Sequence, residues 1–326
     1  MKILVTGGAG YIGSVAVKTL IEKGHEVSVV DNLSKGKKEL VSEKAKFFQK
    51  DLTDNLDEVF NEPYDAVIHF AAYKAVEESM NDAVKYSDNI SGTINLLNYM
   101  VKNKVKKMIF SSTAAVYGDF DEPLTEDCET NPVNFYGFSK LKCEEIIGWY
   151  NKIHGIEYTN LRYFNVAGDV LGYVDPDAKN VFPIIMEVIN GKRDRFCIFG
   201  DDYNTPDGTC LRDYIHIQDL VDAHVMALDC EYNGVLNLGS GKGFSVDELV
   251  SAFKRISGVD FPVEFEGRRA GDPAAVLASN QKAGDVLGWR PKLGIDEMIQ
   301  STLGAGGKIG DVGGGDVGSA LGAVGR

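Results

Sequence analysis

The 326-residue sequence has few cysteines and histidines and no long apolar run. Its five cysteines and five histidines are scattered, without a CxxC pair or the spacing of metal ligands. We therefore expect no metal site and no disulfide framework, but reduced thiols in a cytoplasmic protein. No apolar run approaches the roughly 20 residues that a membrane-spanning helix needs. The first residues also lack the cationic and apolar regions of a signal peptide, so we expect no membrane partner.

Positive charge is also in short supply. The chain has 34 lysines and arginines against 48 acidic residues, which gives a formal net charge of −14. Nucleic acids and anionic membranes bind cationic faces, so this balance disfavours both as partners. An anionic small molecule remains possible, but helix N-termini and a few arginines must then meet its charge locally.

Short apolar runs alternate with longer amphipathic stretches from the first residue. The pattern predicts strands at Lys2–Thr6, His25–Asp31, Lys46–Gln49, Ala66–Phe70, Lys107–Ser111 and Glu157–Tyr163, and helices at Ile12–Lys23, Ile90–Asn103 and Phe138–His154. This βαβ alternation predicts an α/β protein with a Rossmann-type, doubly wound parallel sheet.

The alternation of strand and helix patterns ends near Asn165, where glycine and proline become frequent. We expect residues 1–166 to form the first domain, with 214–237 returning to it, and 167–303 to form a smaller mixed α/β domain. The last segment, 304–326, contains ten glycines and no aromatic residue. Such a composition is typical of a flexible tail.

A glycine-rich loop follows the first strand. Gly7, Gly10 and Gly13 in GGAGYIG open the first predicted helix. In a dinucleotide-binding loop these positions permit the tight turn, the approach of a pyrophosphate to the backbone and close packing of helix on strand. Asp31 ends the second strand, where a carboxylate accepts hydrogen bonds from a ribose 2′-hydroxyl and repels a 2′-phosphate. The pattern therefore favours NAD over NADP.

Tyr136 and Lys140 form a YxxxK pair on one face of a predicted helix. A free tyrosine has a pKa of about 10 and is a poor base at neutral pH unless a cation stabilises its phenolate. Lys140 and a positive nicotinamide ring are candidates for that charge. Thr113, at the end of the preceding strand, is a candidate to relay a substrate proton to Tyr136.

Seven segments together resemble the UDP-galactose 4-epimerases. They are GGAGYIGS (7–14), HFAAYKAVEES (69–79), SSTAAVYG (111–118), YGFSK (136–140), LRYFNVAG (161–168), DGTCLRDYIHIQDL (207–220) and RRAGDP (268–273). The first and fourth are shared by the extended short-chain dehydrogenases, whereas DGTCLRDYIH and RRAGDP are more specific. The resemblance ends near Leu303, where the Gly-rich tail replaces a segment that is usually rich in aromatic residues.

The resemblance implies an NAD-dependent enzyme that interconverts UDP-galactose and UDP-glucose, and a homodimer. NAD stays bound while the sugar is oxidised at C4, rotates as a 4-keto sugar and is reduced on its other face. Besides the three glycines, the implied cofactor-binding residues are Tyr11, Ile12, Asp31, Asn32, Leu33, Ser34, Lys35, Gly36, Asp51, Leu52, Phe70, Ala71, Ala72, Tyr73, Lys74, Asn89 and Phe164. Thr113, Tyr136 and Lys140 match the catalytic set. Asn165, Asn180, Arg212, Arg269 and Asp272 match positions that hold the nucleotide-sugar, and Val276 borders the sugar's 2-position, where a small residue leaves room for an N-acetyl group.

Three other functions remain as alternatives. Sugar 4,6-dehydratases and decarboxylases typically carry an acidic residue after the catalytic serine or threonine, whereas Ala114 and Ala115 follow Thr113 here. Glucuronate epimerases are closer rivals, and DGTCLRDYIH argues for the galactose type. A non-catalytic NAD-binding regulator is disfavoured by the intact Thr113, Tyr136 and Lys140.

Overall fold

The structure is a computed structural model, and it describes residues 1–118, 123–173, 180–269 and 272–305. All but the first two residues of the Gly-rich tail lie outside these ranges, and so does the prediction that the tail is flexible.

The described ranges contain thirteen strands and nine α-helices. The strands are β1 (Lys2–Thr6), β2 (Glu26–Asp31), β3 (Lys46–Gln49), β4 (Ala66–His69), β5 (Lys107–Thr113), β6 (Glu157–Tyr163), β7 (Asn165–Ala167), β8 (Phe196–Phe199), β9 (Leu211–His216), β10 (Gly234–Leu238), β11 (Gly243–Ser245), β12 (Val263–Glu266) and β13 (Ala275–Val276). The helices are α1 (Tyr11–Glu22), α2 (Val76–Ser79), α3 (Ala83–Lys102), α4 (Phe135–His154), α5 (Val181–Ile189), α6 (Ile217–Leu228), α7 (Val246–Ser257), α8 (Gln281–Leu287) and α9 (Ile295–Ala305).

Seven strands form one sheet in the order β10-β6-β5-β4-β1-β2-β3, and every neighbouring pair is parallel. The chain therefore winds outward from β1 in both directions, which confirms the doubly wound fold. Connections leave β1 and β4 on opposite sides of the sheet. In such folds the crevice at this switch point is where ligands bind.

Helices cover both faces of this sheet because alternate residues of each strand point to opposite sides. Ile3 and Val5 on β1 join one buried cluster with α1 and α6, whereas Leu4 joins another with α3 and α4. All three side chains are fully buried. Apolar burial on both faces is the reason that the strands read as continuous apolar runs.

Two predicted helices begin earlier than their apolar periodicity indicated. Helix α3 begins at Ala83 because Asp82 accepts a 3.0 Å hydrogen bond from the Lys85 N–H. Helix α4 begins at Phe135 because Asn134 accepts a 2.8 Å bond from the Gly137 N–H. A polar N-cap of this kind can start a helix several residues before the first residue of its apolar stripe. Tyr136 consequently lies in the first turn of α4.

The smaller part of the molecule packs on two short sheets. Strands β11, β13 and β7 all pair with β9, and β12 pairs with β8. Its core gathers Phe182, Tyr214, Phe253 and Ile299 from α5, β9, α7 and α9. In the described part of the chain, every helix is too short or too polar to cross a membrane.

Candidate active site

A cleft of about 1200 Å³ opens at the carboxyl ends of β1, β4 and β5 and extends toward α5. Sites for one small molecule usually have volumes of about 300–1,000 Å³. This cleft therefore has room for a dinucleotide and a second ligand. Most of the predicted site residues line it: Gly7, Gly10, Tyr11, Ile12, Gly13, Asp31, Asn32, Ser34, Lys35, Gly36, Asp51, Leu52, Phe70, Ala71, Ala72, Tyr73, Lys74, Asn89, Thr113, Tyr136, Lys140, Phe164, Asn165, Asn180 and Arg269.

The glycine-rich loop is tightly packed on one side and open on the other. A Cβ atom on Gly7 would lie 2.6 Å from the Ala71 nitrogen, and one on Gly13 would lie 2.1 Å from the Gly7 oxygen. Gly7 also has a φ of +70°, which favours glycine. At Gly10, by contrast, the only atom near an added Cβ is the Gly7 oxygen, at 3.3 Å. Gly10 is the N-cap of α1, so this open space lies at the positive end of a helix and fits a pyrophosphate.

Backbone groups orient the Asp31 carboxylate. It accepts hydrogen bonds from the N–H groups of Ala9 (3.0 Å) and Leu33 (2.8 Å). Burial raises the pKa of Asp31, and these two bonds oppose the rise. Leu33, which is not among the residues that line the cleft, adopts an unusual φ of 59° and contributes its N–H to this arrangement. A fixed carboxylate at this point fits the ribose hydroxyls of NAD.

A second carboxylate lies beside the first. Asp51 accepts a 2.7 Å hydrogen bond from the Asn32 amide and bonds from the Thr53 N–H and hydroxyl. Partial burial raises the pKa of Asp51, but the bonds from Thr53 and Asn32 outweigh burial and leave the pKa lowered. Asp51 therefore presents an ionised acceptor to the cleft.

Asn89 holds the segment that follows β4. Its side-chain oxygen accepts from the Tyr73 N–H at 2.8 Å, and its amide donates to the Tyr73 carbonyl at 3.0 Å. The same amide donates to the Ser139 hydroxyl on α4 at 3.1 Å. A buried side chain of α3 thus ties the predicted cofactor segment to the catalytic helix.

The Thr113 hydroxyl lies close to the Tyr136 hydroxyl and interacts with it. Burial raises the pKa of Tyr136 to about 12, and the interaction with Thr113 opposes that rise. Thr113 also accepts from the Ala115 N–H at 3.2 Å, so its own proton is available to Tyr136. The pair can carry a proton from the hydroxyl of a substrate in the cleft to Tyr136.

Lys140 is buried one turn beyond Tyr136. Its ammonium donates to the Ser111 carbonyl at 2.8 Å and lies 4.7 Å from the centre of the Phe110 ring. Burial lowers the pKa of Lys140 to about 8, although Cys143 and Glu144 raise it. The bond to Ser111 directs the ammonium to the end of β5, beside Thr113.

Three residues predicted to hold the nucleotide-sugar line one wall of the cleft. The Asn165 amide donates to the Asp213 carbonyl at 3.1 Å, and Asn180 caps α5. The Arg269 guanidinium stacks 3.7 Å from the centre of the Phe199 ring. Arg269 thereby brings a fixed positive charge to a cleft that an anionic diphosphate could enter.

The other three are outside the lining of the cleft. The Arg212 guanidinium donates to Asp272 at 3.1 Å and to the carbonyls of Leu211 and Pro273. Val276 pairs with Arg212 in the β13–β9 register and packs against the cluster that contains Phe164. Arg212, Asp272 and Val276 are absent from the residues that line the cleft.

The sequence reasoning missed a buried carboxylate under this wall. Asp213 is fully buried and accepts four hydrogen bonds, from the N–H and hydroxyl of Ser240 and from the N–H groups of Gly241 and Ala278. Burial raises the pKa of Asp213, and these bonds oppose it. The available signal was an acidic residue inside an apolar strand, which needs such partners to be buried.

The sequence also did not reveal a contact between α9 and the segment that follows β7. The Ser301 hydroxyl accepts from the Asp169 N–H at 3.1 Å, and its neighbour Thr302 lines the cleft. On the other side of the same loop, the Tyr11 hydroxyl donates to the Gly168 carbonyl. The segment around Gly168 is therefore held between the first helix and the last.

Outside the cleft, one group of described residues brings potential metal ligands together. Cys197, Glu264 and Glu266 place ligand atoms within 4.8 Å of one another on β8 and β12. Both glutamates are exposed, and Arg195 forms an ion pair with Glu264. We assign no metal to this group.

Comparisons with known proteins show the family of the chain. The sequence model of the NAD dependent epimerase/dehydratase family matches residues 3–239. The chain is 48% identical over 317 residues to a UDP-glucose 4-epimerase of Streptococcus mutans, and the match covers 92% of this chain and 95% of that protein.

Solved structures give the same result. The UDP-glucose 4-epimerase of Stenotrophomonas maltophila, with bound NAD and formylated UDP-arabinopyranose, superposes with a TM-score of 0.90 at 37% identity, covering 94% of this chain and 98% of that one. The UDP-Glc/GlcNAc 4-epimerase of Campylobacter jejuni gives a TM-score of 0.84 at 41% identity, with the same two coverages.

Proposed function

The chain belongs to the NAD dependent epimerase/dehydratase family, and we propose that it interconverts UDP-galactose and UDP-glucose with NAD retained. The observation that carries the proposal is that Thr113, Tyr136 and Lys140 meet in the same cleft as the glycine-rich loop and Asp31. A proton relay and a dinucleotide site are thereby combined in one cavity.

The chain's own residues supply proton transfer and orientation. When bound, NAD would supply reversible hydride transfer at the sugar C4. Tyr136 removes the proton of the 4-hydroxyl, and the neighbouring Thr113 hydroxyl relays it. For Tyr136 to act as the base, the positive charges of Lys140 and of the nicotinamide ring must offset the burial that raises its pKa, since a nearby cation lowers the pKa of a phenol. Asp31 and the Gly10 backbone would hold the ribose and pyrophosphate of the cofactor.

The nucleotide must be held while the hexose turns. Asn165, Asn180 and Arg269 line the cleft, and Arg212 and Asp272 form an ion pair outside its lining. Guanidinium groups bind phosphate oxygens through two parallel hydrogen bonds, so they bind a diphosphate tightly. We propose that these five residues hold UDP, while the 4-keto sugar rotates and presents its other face for reduction.

The residues that follow Thr113 do not support a dehydratase or a decarboxylase reaction. Thr113 is followed by a 3₁₀ turn over Ala114–Val116, so no carboxylate stands there to drive elimination or decarboxylation. A glucuronate epimerase is a second candidate, because it would use the same relay. A non-catalytic regulator would not require the Thr113–Tyr136 contact to be intact.

The test is turnover without added reductant. Purified protein is incubated with UDP-galactose, and UDP-glucose is measured by chromatography, with UDP-glucuronate supplied in parallel. We expect UDP-glucose to form and UDP-glucuronate to remain unchanged. Bound NAD with no conversion of either sugar would favour the regulator, and conversion of glucuronate alone would favour its epimerase.

Two regions divide the work in this proposal. Residues 1–166, with 214–237, hold the cofactor, and residues 167–303 hold the nucleotide-sugar. The packing of α6 beside α1 and of β10 beside β6 supports the return of 214–237 to the first region. The absence of a membrane-spanning helix from the described ranges is compatible with the cytoplasm, which we propose as its compartment.

We also propose a homodimer that forms through α4. Phe138, Trp149 and Ile153 lie on one stripe of this helix and are 39%, 60% and 66% exposed. Apolar stripes of this kind are typical of helices that pack against a partner. Sedimentation should give a dimer for the unmodified chain and a monomer for Trp149→Glu/Ile153→Glu, whereas a monomeric unmodified chain would exclude this interface.

A further inference from the structure

Three successive turns of α4 contact three successive residues of β5. Tyr136 meets the hydroxyl of Thr113, and Lys140 donates to the carbonyl of Ser111. One turn further, Glu144 accepts a hydrogen bond from the hydroxyl of Ser112. Residues four apart lie on one face of a helix, so these contacts form a single seam. The first two involve the proposed catalytic groups, whereas the third joins Glu144 to Ser112, neither of which has a role in the proposed proton transfer.

Glu144 also forms a buried ion pair with Arg162. The Arg162 Nε and Nη2 atoms donate to the two carboxylate oxygens at 2.9 and 2.6 Å. Both side chains are only 5% exposed. Arg162 lies on β6, directly opposite Ser112 in the parallel register, and its guanidinium stacks 4.7 Å from the Tyr117 ring centre. The carboxylate is therefore fixed by two neighbouring strands at once.

Stability alone does not account for a pair of this kind. Removing two charges from water costs free energy, and well-packed apolar side chains of similar volume often serve a fold equally well. A two-pronged pair differs from apolar packing in that it fixes distance and orientation. Side chains alternate along a strand, so Ser112 points away from the face that carries Ser111 and Thr113. Ser112 borders the cleft, and its hydroxyl is bonded to Glu144, so this bond can hold the end of the strand against α4.

We propose that Ser112, Glu144 and Arg162 form a positioning network that holds the end of β5 against α4. The network sets the spacing between Thr113 and Tyr136 and between the Ser111 carbonyl and Lys140. Glu144 and Arg162 are not among the residues that line the cleft, Ser112 borders it with its hydroxyl bonded to Glu144, and all three act through the catalytic groups. The proposal rests on the proposed epimerase reaction, in which Thr113 and Tyr136 exchange a proton.

The first test is Ser112→Ala, which leaves the ion pair intact and removes only its bond to β5. We expect kcat to fall about tenfold or more with KM for UDP-galactose changed less than about twofold, because small displacements of catalytic groups reduce rate steeply. The melting temperature should stay near that of the unmodified protein. The control is Glu22→Gln on α1, since Glu22 is exposed and pairs with Lys18. It should change neither kcat nor KM.

The second test separates positioning from stability. Glu144→Gln leaves the buried guanidinium of Arg162 without its counter-ion and should lower the melting temperature. Glu144→Met/Arg162→Met removes both charges, so its melting temperature should return most of the way to that of the unmodified protein. We expect kcat to remain low in the double variant. Recovery of kcat together with stability would overturn the proposal, as would normal kcat in Ser112→Ala or a loss expressed only in KM. Lack of turnover in the unmodified protein would instead refute the proposed function.

Discussion

The guanidinium of Arg212 forms an ion pair with the carboxylate of Asp272, in which Nη2 and Oδ1 are 3.1 Å apart. The resemblance predicts that both residues hold the nucleotide-sugar, and their ion pair fixes the position of the Arg212 guanidinium. If Arg212 contributes to binding the diphosphate, Arg212→Met should raise KM for UDP-galactose about 10–100-fold, as the loss of a charge-assisted bond of about 1.5–3 kcal/mol implies. Steady-state kinetics and equilibrium binding of UDP measure this. Arg268→Met is the control, since Arg268 pairs with exposed Asp202, and an equal loss there would contradict the assignment.

Replacing Tyr136 with Phe should reduce turnover by about 10²–10⁴-fold, which is typical of losing a general base. The ring still fills its place at the start of α4, so binding of UDP should change little. Single-turnover kinetics with UDP-galactose and calorimetry with UDP give the two quantities. Turnover within a few-fold of the unmodified protein would exclude Tyr136 as the base.

The cofactor released by denaturing the purified protein should be NAD or NADH. The Asp31 carboxylate, fixed by the Ala9 and Leu33 N–H groups, repels a 2′-phosphate. Chromatography of the released nucleotide tests this. In Asp31→Asn the preference for NAD over NADP should shrink, and mainly NADP from the unmodified protein would overturn the assignment.

Acid should destabilise the fold through three buried histidines. Burial lowers the pKa of His69 to about 3, and burial lowers the pKa values of His216 and His224 to about 4. In the unfolded chain each binds a proton below about pH 6.5, while the folded state keeps it neutral. The unfolded state therefore binds more protons, and the free energy of unfolding falls as pH drops from 6.5 to 5, by on the order of 1.4 kcal/mol per unit for each histidine.

Chemical denaturation at several pH values measures that slope. His224→Gln should make the slope shallower, whereas His154→Gln, at an exposed position, should leave it unchanged. An identical slope in the two variants would show that His224 does not contribute.

The size of residue 276 should affect which sugars are accepted. Val276 is a small residue that the resemblance predicts to border the sugar's 2-position, and it packs against the cluster that contains Phe164. We expect UDP-N-acetylgalactosamine to be epimerised less efficiently than UDP-galactose, and Val276→Tyr to suppress this activity selectively. Paired assays on both sugars test the idea, which fails if the ratio of activities does not change.

Much of the fold could be predicted because its determinants are local. β1, β3 and β6 begin and end where the apolar runs predicted them. The turn at Gly7 and the placement of Tyr136 and Lys140 one helical turn apart follow from backbone conformation and helix periodicity. These features depend on residues within a few positions of each other, so a single sequence is sufficient to indicate them.

The partners of the charged groups depended on the tertiary structure. Spacing pairs Lys140 with Tyr136, yet its ammonium donates to the Ser111 carbonyl, and Glu144 bonds to Arg162 across two elements. Asp213 likewise obtains its partners from Ser240, Gly241 and Ala278, which are distant in sequence. Buried polar groups must find hydrogen-bond partners, but which ones they find depends on which distant strands the fold brings together. Local sequence therefore determined the strands, the glycine turn and the catalytic pair, and the packing of α4 and α9 on the sheets decided how those groups are held.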